Sequence, residues 1–160
     1  MSIIVTVEGI LRRVTDGTGI PPGIYLIRQL AQHEALNSFV YLTRGGNPEE
    51  VEDWLDQQGL PYDMVLASWS EDPVKRIRAM QQQWGYTVEY IIEPDPALAA
   101  EFVREGWMTI GFFHPYYAKP EWRPDYQETV QPWASLSEQV ANAAKMKATD
   151  KRITDVVTDL

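Results

Sequence analysis

The chain has 160 residues, 44% of them hydrophobic and 23% charged, which suits one domain with room for a layered core. It contains no cysteine, which excludes a disulfide framework, a thiolate metal site and a cysteine nucleophile. A formal net charge of -9 favours solubility and opposes non-specific binding to nucleic acid or to an anionic membrane.

No apolar run approaches the roughly 20 residues that a membrane helix needs. The N-terminus leads directly into Ile3-Ile4-Val5, with no basic leader and no cleavage site, so a cytoplasmic protein is expected. Ile3 to Val7 is a β-branched run of the kind that fills a strand buried on both faces. A Gly/Pro-rich stretch, Asp16 to Gly23, follows it. Ile24, Leu26, Ile27, Leu30 and Ala31 then recur at helical spacing. Phe39 to Leu42 is a second strand. Asn47-Pro48 is an N-cap followed by an ideal first helical residue, with Val51, Trp54 and Leu55 as the apolar stripe and Gly59 as the stop.

Met64 to Ala67 is a third strand. Asp72-Pro73 opens the next helix, with Val74, Ile77, Met80 and Trp84 facing inward and Gly85 closing it. Val88 to Ile92 is a fourth strand. Pro96 to Glu105 is a helix with Leu98, Ala99, Phe102 and Val103 inward, and Thr109 to Phe113 is a fifth strand. Strands alternating with helices of about ten residues predict right-handed crossovers and a mostly parallel five-stranded sheet with helices on both faces, a three-layer Rossmann-like α/β architecture. Ligands of such sheets bind beyond the carboxyl ends of the strands, here Val7-Glu8-Gly9, Thr43-Arg44, Ser68-Trp69 and Glu93-Pro94-Asp95.

The prolines and aromatics from His114 to Trp133 preclude a long helix and predict a segment packed over the domain, although its rings could also stack a base or meet a protein. The expected division is a domain over residues 1–133 and a C-terminal helical extension over 134–160. Ser135 and Glu138 form a capping-box pattern. Ile153, Val156, Val157 and Leu160 make an i, i+3, i+4, i+7 stripe that either docks on the domain or forms a homodimer. His33 and His114 belong to no metal or triad pattern, and His33 is expected on a helix surface.

Four blocks, in order and at strand ends, resemble the haloacid dehalogenase (HAD) superfamily, and most closely the capless phosphatase domain of polynucleotide kinases and related phage proteins. Val5-Thr6-Val7-Glu8-Gly9-Ile10-Leu11 is similar to the family's Asp-x-Asp-Gly-Thr-Leu. Tyr41-Leu42-Thr43 matches the hydroxyl block, Val74-Lys75-Arg76-Ile77 the lysine block, and Ile91-Ile92-Glu93-Pro94-Asp95 the acidic end of the fourth strand. The resemblance covers residues 3 to 113 and continues more weakly to Trp133.

It implies phosphoryl transfer to an aspartate, with Mg²⁺ screening charge and a second carboxylate protonating the leaving oxygen. By the same resemblance Thr6 stands at the nucleophile, Glu8 at the general acid/base, Thr43 at the phosphoryl-oxygen contact and Lys75 at the charge-neutralising lysine. Glu93 and Asp95 are the remaining metal candidates, because the second family acid is replaced by Pro94. A threonine hydroxyl stays protonated at neutral pH and brings no anionic ligand to Mg²⁺, so metal binding is expected to be weak or absent. Arg12, Arg13 and Arg44 flank the pocket and are candidates for an anion. The expectation is a catalytically degenerate pseudophosphatase that binds a phosphorylated small molecule or a protein. The alternative is an active Mg²⁺-dependent phosphohydrolase of nucleotide or polynucleotide phosphate esters that works through Glu8.

Overall fold

The structure is a computed structural model, and it describes residues 1–33, 37–68, 71–114, 119–122 and 138–145. Strands and helices alternate as β1 (Ser2–Thr6), α1 (Pro21–His33), β2 (Ser38–Thr43), α2 (Pro48–Gln58), β3 (Met64–Ala67), α3 (Pro73–Trp84), β4 (Val88–Glu93), α4 (Pro96–Arg104) and β5 (Thr109–Gly111). A 3₁₀ turn at Pro120–Trp122 follows, and residues 138–145 are helical. All pairings are parallel and the spatial order is β3-β2-β1-β4-β5. The five-stranded, doubly covered sheet expected from the sequence is what forms.

Alternation along each strand assigns the two faces. Ile3 and Val5 of β1, Tyr41 of β2 and Ile92 of β4 pack with Ile24 and Ile27 of α1 and with Val51 and Leu55 of α2. Ile4, Val40, Leu42 and Ile91 point the other way and pack with Ile77 and Met80 of α3 and with Leu98 and Phe102 of α4. Both cores are closed to solvent at their centres, with Ile4, Leu42, Leu55, Ile77 and Phe102 fully buried. Burying each such side chain stabilises the fold by about 2 kcal/mol before entropy is counted.

Three of the four helices α1 to α4 start in the same way. Asn47, Asp72 and Asp95 are N-caps, each followed by a proline at the first helical position. Each accepts a 3.0 Å bond from the backbone N–H two residues on, at Glu49, Val74 and Ala97. Proline lacks the N–H that would be unsatisfied there, and the cap satisfies the next one. Asn47→Ala should lower stability by about 1 kcal/mol in denaturant titration, without changing the unfolding slope.

Two inward assignments are corrected. Trp84 is 52% exposed and Val103 is 50% exposed. Each lies at the end of a helix whose stripe is already filled, by Ile77 and Met80 in α3 and by Leu98 and Phe102 in α4. β5 stops at Gly111, short of the strand expected to reach Phe113, which is 42% exposed. His33 is exposed at the end of α1, as expected. The capping box at Ser135 and the Ile153–Leu160 stripe lie outside the described residues, as does all of the aromatic segment beyond His114 except residues 119–122. Among the described residues no helix is long and apolar enough to cross a membrane.

Candidate functional site

The carboxyl ends of β1, β2 and β4 meet where the helix starts at Asn47 and Asp95 also converge. Beyond β1 the chain makes one helical turn, with the Leu11 and Arg12 N–H groups donating to the Val7 carbonyl at 2.9 and 3.1 Å. It then folds back, with Arg13 N–H donating to Thr18 O at 2.8 Å and Ile20 N–H to Leu11 O at 2.8 Å. Ile10, Leu11 and Ile20 are fully buried and pin this excursion to the α1/α2 face. From its polar side Arg12, Arg13, Val14 and Gly17 form one wall of a cleft of about 570 Å³. Arg44 to Gly46, Glu8, Glu50 and Asp95 line the rest, together with Lys119 and Trp122.

Glu8 sits at the cleft's inner corner. Its carboxylate accepts from the Thr43 hydroxyl at 2.5 Å and from the Arg44 backbone N–H at 3.0 Å. Thr43 Oγ1 in turn accepts from Gly46 N–H at 2.9 Å. Arg44 donates to the Asp95 carboxylate at 3.0 Å, and the other Asp95 oxygen caps α4. Thus Glu8, Thr43, Arg44 and Asp95 are brought together, as their places at the strand ends predicted.

Thr6 and Glu93 are also brought together, but not in the cleft. They continue the face that carries Ile4 and Ile91, and they are 1% and 0% exposed. The Thr6 hydroxyl hydrogen-bonds the Glu93 carboxyl, and the other Glu93 oxygen accepts from Asp95 N–H at 2.9 Å. Burial pushes the Glu93 carboxyl up to about 8. The bonds from Thr6 and Asp95 N–H pull it back in part, as does Arg44, while the charge of Asp95 pushes it further. Just beyond β1 and β4, Gly9, Pro94 and Trp122 stand close together. A side chain at Gly9 would stand 2.8 Å from Trp122 and 2.9 Å from Pro94, and its φ of 96° already favours glycine. Pro94, at the place of a family acid, therefore contributes packing rather than charge.

These residues do not fit a divalent cation. Both oxygens of Glu8, Glu93 and Asp95 are already engaged by protein donors. Glu93 is held neutral through most of the physiological range. Among the described residues no three acids or histidines converge as ligands. Hard cations take roughly six or more oxygen ligands, and with no such cluster among the described residues no chemical step is derived through a metal.

Lys75 is exposed on α3 and does not line the cleft. The lysine that does is Lys119, whose ammonium lies 5.2 Å from the centre of the Trp122 ring. No carboxylate pairs with it among the described residues. Sequence reasoning missed it, and the available signal was thin: Lys119 is the only cation between Arg104 and Arg123. Arg12 and Arg13 reach the cleft as expected. Arg12 pairs with Glu50 at 2.6 Å, and Arg13 lies 3.9 Å from Asp16. With four cations against three acids on its walls, the cleft is a cationic exception on a chain of net charge -9.

Fold and site together define a Rossmann-like α/β domain with a cation-lined cleft at the carboxyl edge of its sheet. No family model matches the chain, and no curated protein matches it. Two solved structures share the fold. A chain in a structure described as a Pnkp1/Rnl/Hen1 complex superposes with a TM-score of 0.56 at 14% identity, over 71% of this chain and 46% of that one. A chain in a structure described as the Pnkp1/Rnl/Hen1 RNA repair complex superposes with a TM-score of 0.57 at 14% identity, over 72% of this chain and 43% of that one. This chain therefore corresponds to less than half the length of those chains, and at such identity the likeness is one of fold.

Proposed function

We propose that this protein is a catalytically degenerate HAD-like domain that binds a phosphorylated ligand in the cleft and does not hydrolyse it. One observation carries this reading. The residue at the nucleophile's place, Thr6, is sealed against Glu93 outside the cleft, while Arg44, Lys119, Arg12 and Arg13 line the cleft itself. A neutral hydroxyl bonded to a buried carboxyl has no base to activate it and no access to a bound ester. Guanidinium groups beside backbone amides, by contrast, suit phosphate oxygens.

The similar structures support a nucleotide or a polynucleotide end as the bearer of the phosphate, since one is described as an RNA repair complex. A net charge of -9 disfavours long tracts of nucleic acid beyond the cleft itself. The fact that both similar chains come from complexes also supports a protein partner beside the ligand.

The test has two parts. Titration calorimetry with adenosine 3′-monophosphate should show saturable binding, weakened about tenfold in Arg44→Ala, the scale of one charge-assisted hydrogen bond. A sensitive phosphatase assay with Mg²⁺ or Mn²⁺, on generic and nucleotide phosphate esters, should show no turnover. Metal-dependent turnover that vanishes in Glu8→Ala would overturn this reading in favour of an active enzyme working through Glu8.

A further inference from the structure

We propose that Arg12 forms a second anion subsite within the cleft, occupied in the ligand-free protein by the carboxylate of Glu50, and that the ligand carries two phosphates, the second of which displaces Glu50. This rests on the reading of the cleft as a phosphate site and goes beyond it by naming the ligand's class.

Among the described cations that line the cleft, Arg12 is the buried one, at 8% exposure. Its guanidinium is backed by the Trp54 ring, 5.4 Å from the ring centre. Its Nε–H is buried without an acceptor. Its Nη1 and Nη2 groups donate to Glu50 at 2.6 and 3.4 Å. Glu50 comes from the first turn of α2, and its side chain is 57% exposed. A deeply placed, stacked guanidinium whose one carboxylate partner among the described residues is a solvent-exposed side chain is a prepared anion seat with a removable occupant. Displacement exchanges one anion for another on the same guanidinium, so Arg12 stays paired while the half-exposed Glu50 carboxylate returns to water.

The seat adjoins the inner corner of the cleft. The point where a Gly46 Cβ would stand lies 2.8 Å from Thr43 Oγ1 and 3.3 Å from Arg12 Nη2. Glycine at 46 therefore leaves the passage between the Glu8–Thr43–Arg44 corner and Arg12 unobstructed. A cleft of about 570 Å³ accommodates a small molecule that spans both positions.

The experiment compares adenosine 3′-monophosphate with adenosine 3′,5′-bisphosphate by titration calorimetry on the full chain. Fructose 6-phosphate against fructose 1,6-bisphosphate shows whether the base takes part. The bisphosphate is expected to bind at least tenfold more tightly than the monophosphate in one or both pairs. Arg12→Gln should erase that preference, so that the bisphosphate binds no more tightly than the monophosphate to the same variant. Because a buried arginine can be needed for folding, Glu50→Gln gives an independent reading: bisphosphate affinity rises severalfold. Glu49→Gln, the same charge change one residue away and off the cleft, moves it by less than twofold. Equal affinity for both members of each pair, or weaker bisphosphate binding in Glu50→Gln, would overturn the subsite and show that Glu50 merely holds Arg12 in place. If no phosphate compound binds at all, the cleft reading falls and this inference falls with it. If the monophosphates bind and the bisphosphates gain nothing, only this inference falls.

Discussion

Glu93→Gln is expected to raise stability at pH 8 by an amount on the order of 3 kcal/mol, and to flatten its dependence on pH between about 5 and 8. The carboxyl is fully buried on the α3/α4 side of the sheet and titrates near 8, against an ordinary value of 4.5. Between those two values the folded protein holds a proton that the unfolded chain has released. The unfolded state then binds fewer protons, so stability falls as pH rises from about 4.5 towards 8 and levels off above. Glutamine cannot ionise, so it removes this slope. Its carbonyl can still accept from Asp95 N–H, and its amide can donate to Thr6 Oγ1. The check is a set of urea titrations of both proteins from pH 5 to pH 9, read as the difference between them so that other carboxyls cancel. A difference that stays constant across that range would show that Glu93 ionises freely in the folded state.

The same pair marks the limit of what the sequence could reveal. The sheet, the order of its strands along the chain and the helix starts at Pro48, Pro73 and Pro96 were legible, with Asn47 as a cap, because they rest on local signals. These are β-branched runs, an Asn-Pro or Asp-Pro step and a closing glycine. The corner formed by Glu8, Thr43 and Arg44 was legible as a set of strand ends. The union of Thr6 with Glu93 was not, since these residues are 87 apart and meet only through the parallel register that sets Val5 beside Ile92. Nothing local distinguishes a glutamate buried beyond a strand end from one that is solvated there. The placing of Lys119 in the cleft instead of Lys75 has the same origin. Lys119 lies three residues before Trp122, which stands beside Gly9 and Pro94, and neither periodicity nor spacing reports that. Helical periodicity also overreached at Trp84 and Val103, where the apolar spacing continues after the sheet has no more face to cover.

Thr6→Asp, the single change that would restore the resembled family's nucleophile, is expected to cost about 3 kcal/mol or more at pH 7 and to yield no phosphatase activity. The new carboxyl would enter a site that is 1% exposed and already shared with a buried carboxyl. Two carboxyls in contact cannot both ionise, so either both remain neutral or one is buried as an unpaired charge. Neither state supplies the exposed anion that attacks a phosphoryl group. The loss should shrink at pH 5, where both groups keep their protons, and urea titration at the two pH values reads it directly. Adding Glu8→Asp and Pro94→Asp should not rescue turnover. The Pro94 ring packs where Gly9 and Trp122 meet, and an acid there would exchange apolar contact for a buried charge. Metal-dependent turnover in the triple variant would show the opposite: that the resembled family's acids suffice to make this a catalytic site. Without turnover, the burial of Thr6 and Glu93, 1% and 0% exposed, keeps the pair out of the cleft whichever side chains stand there.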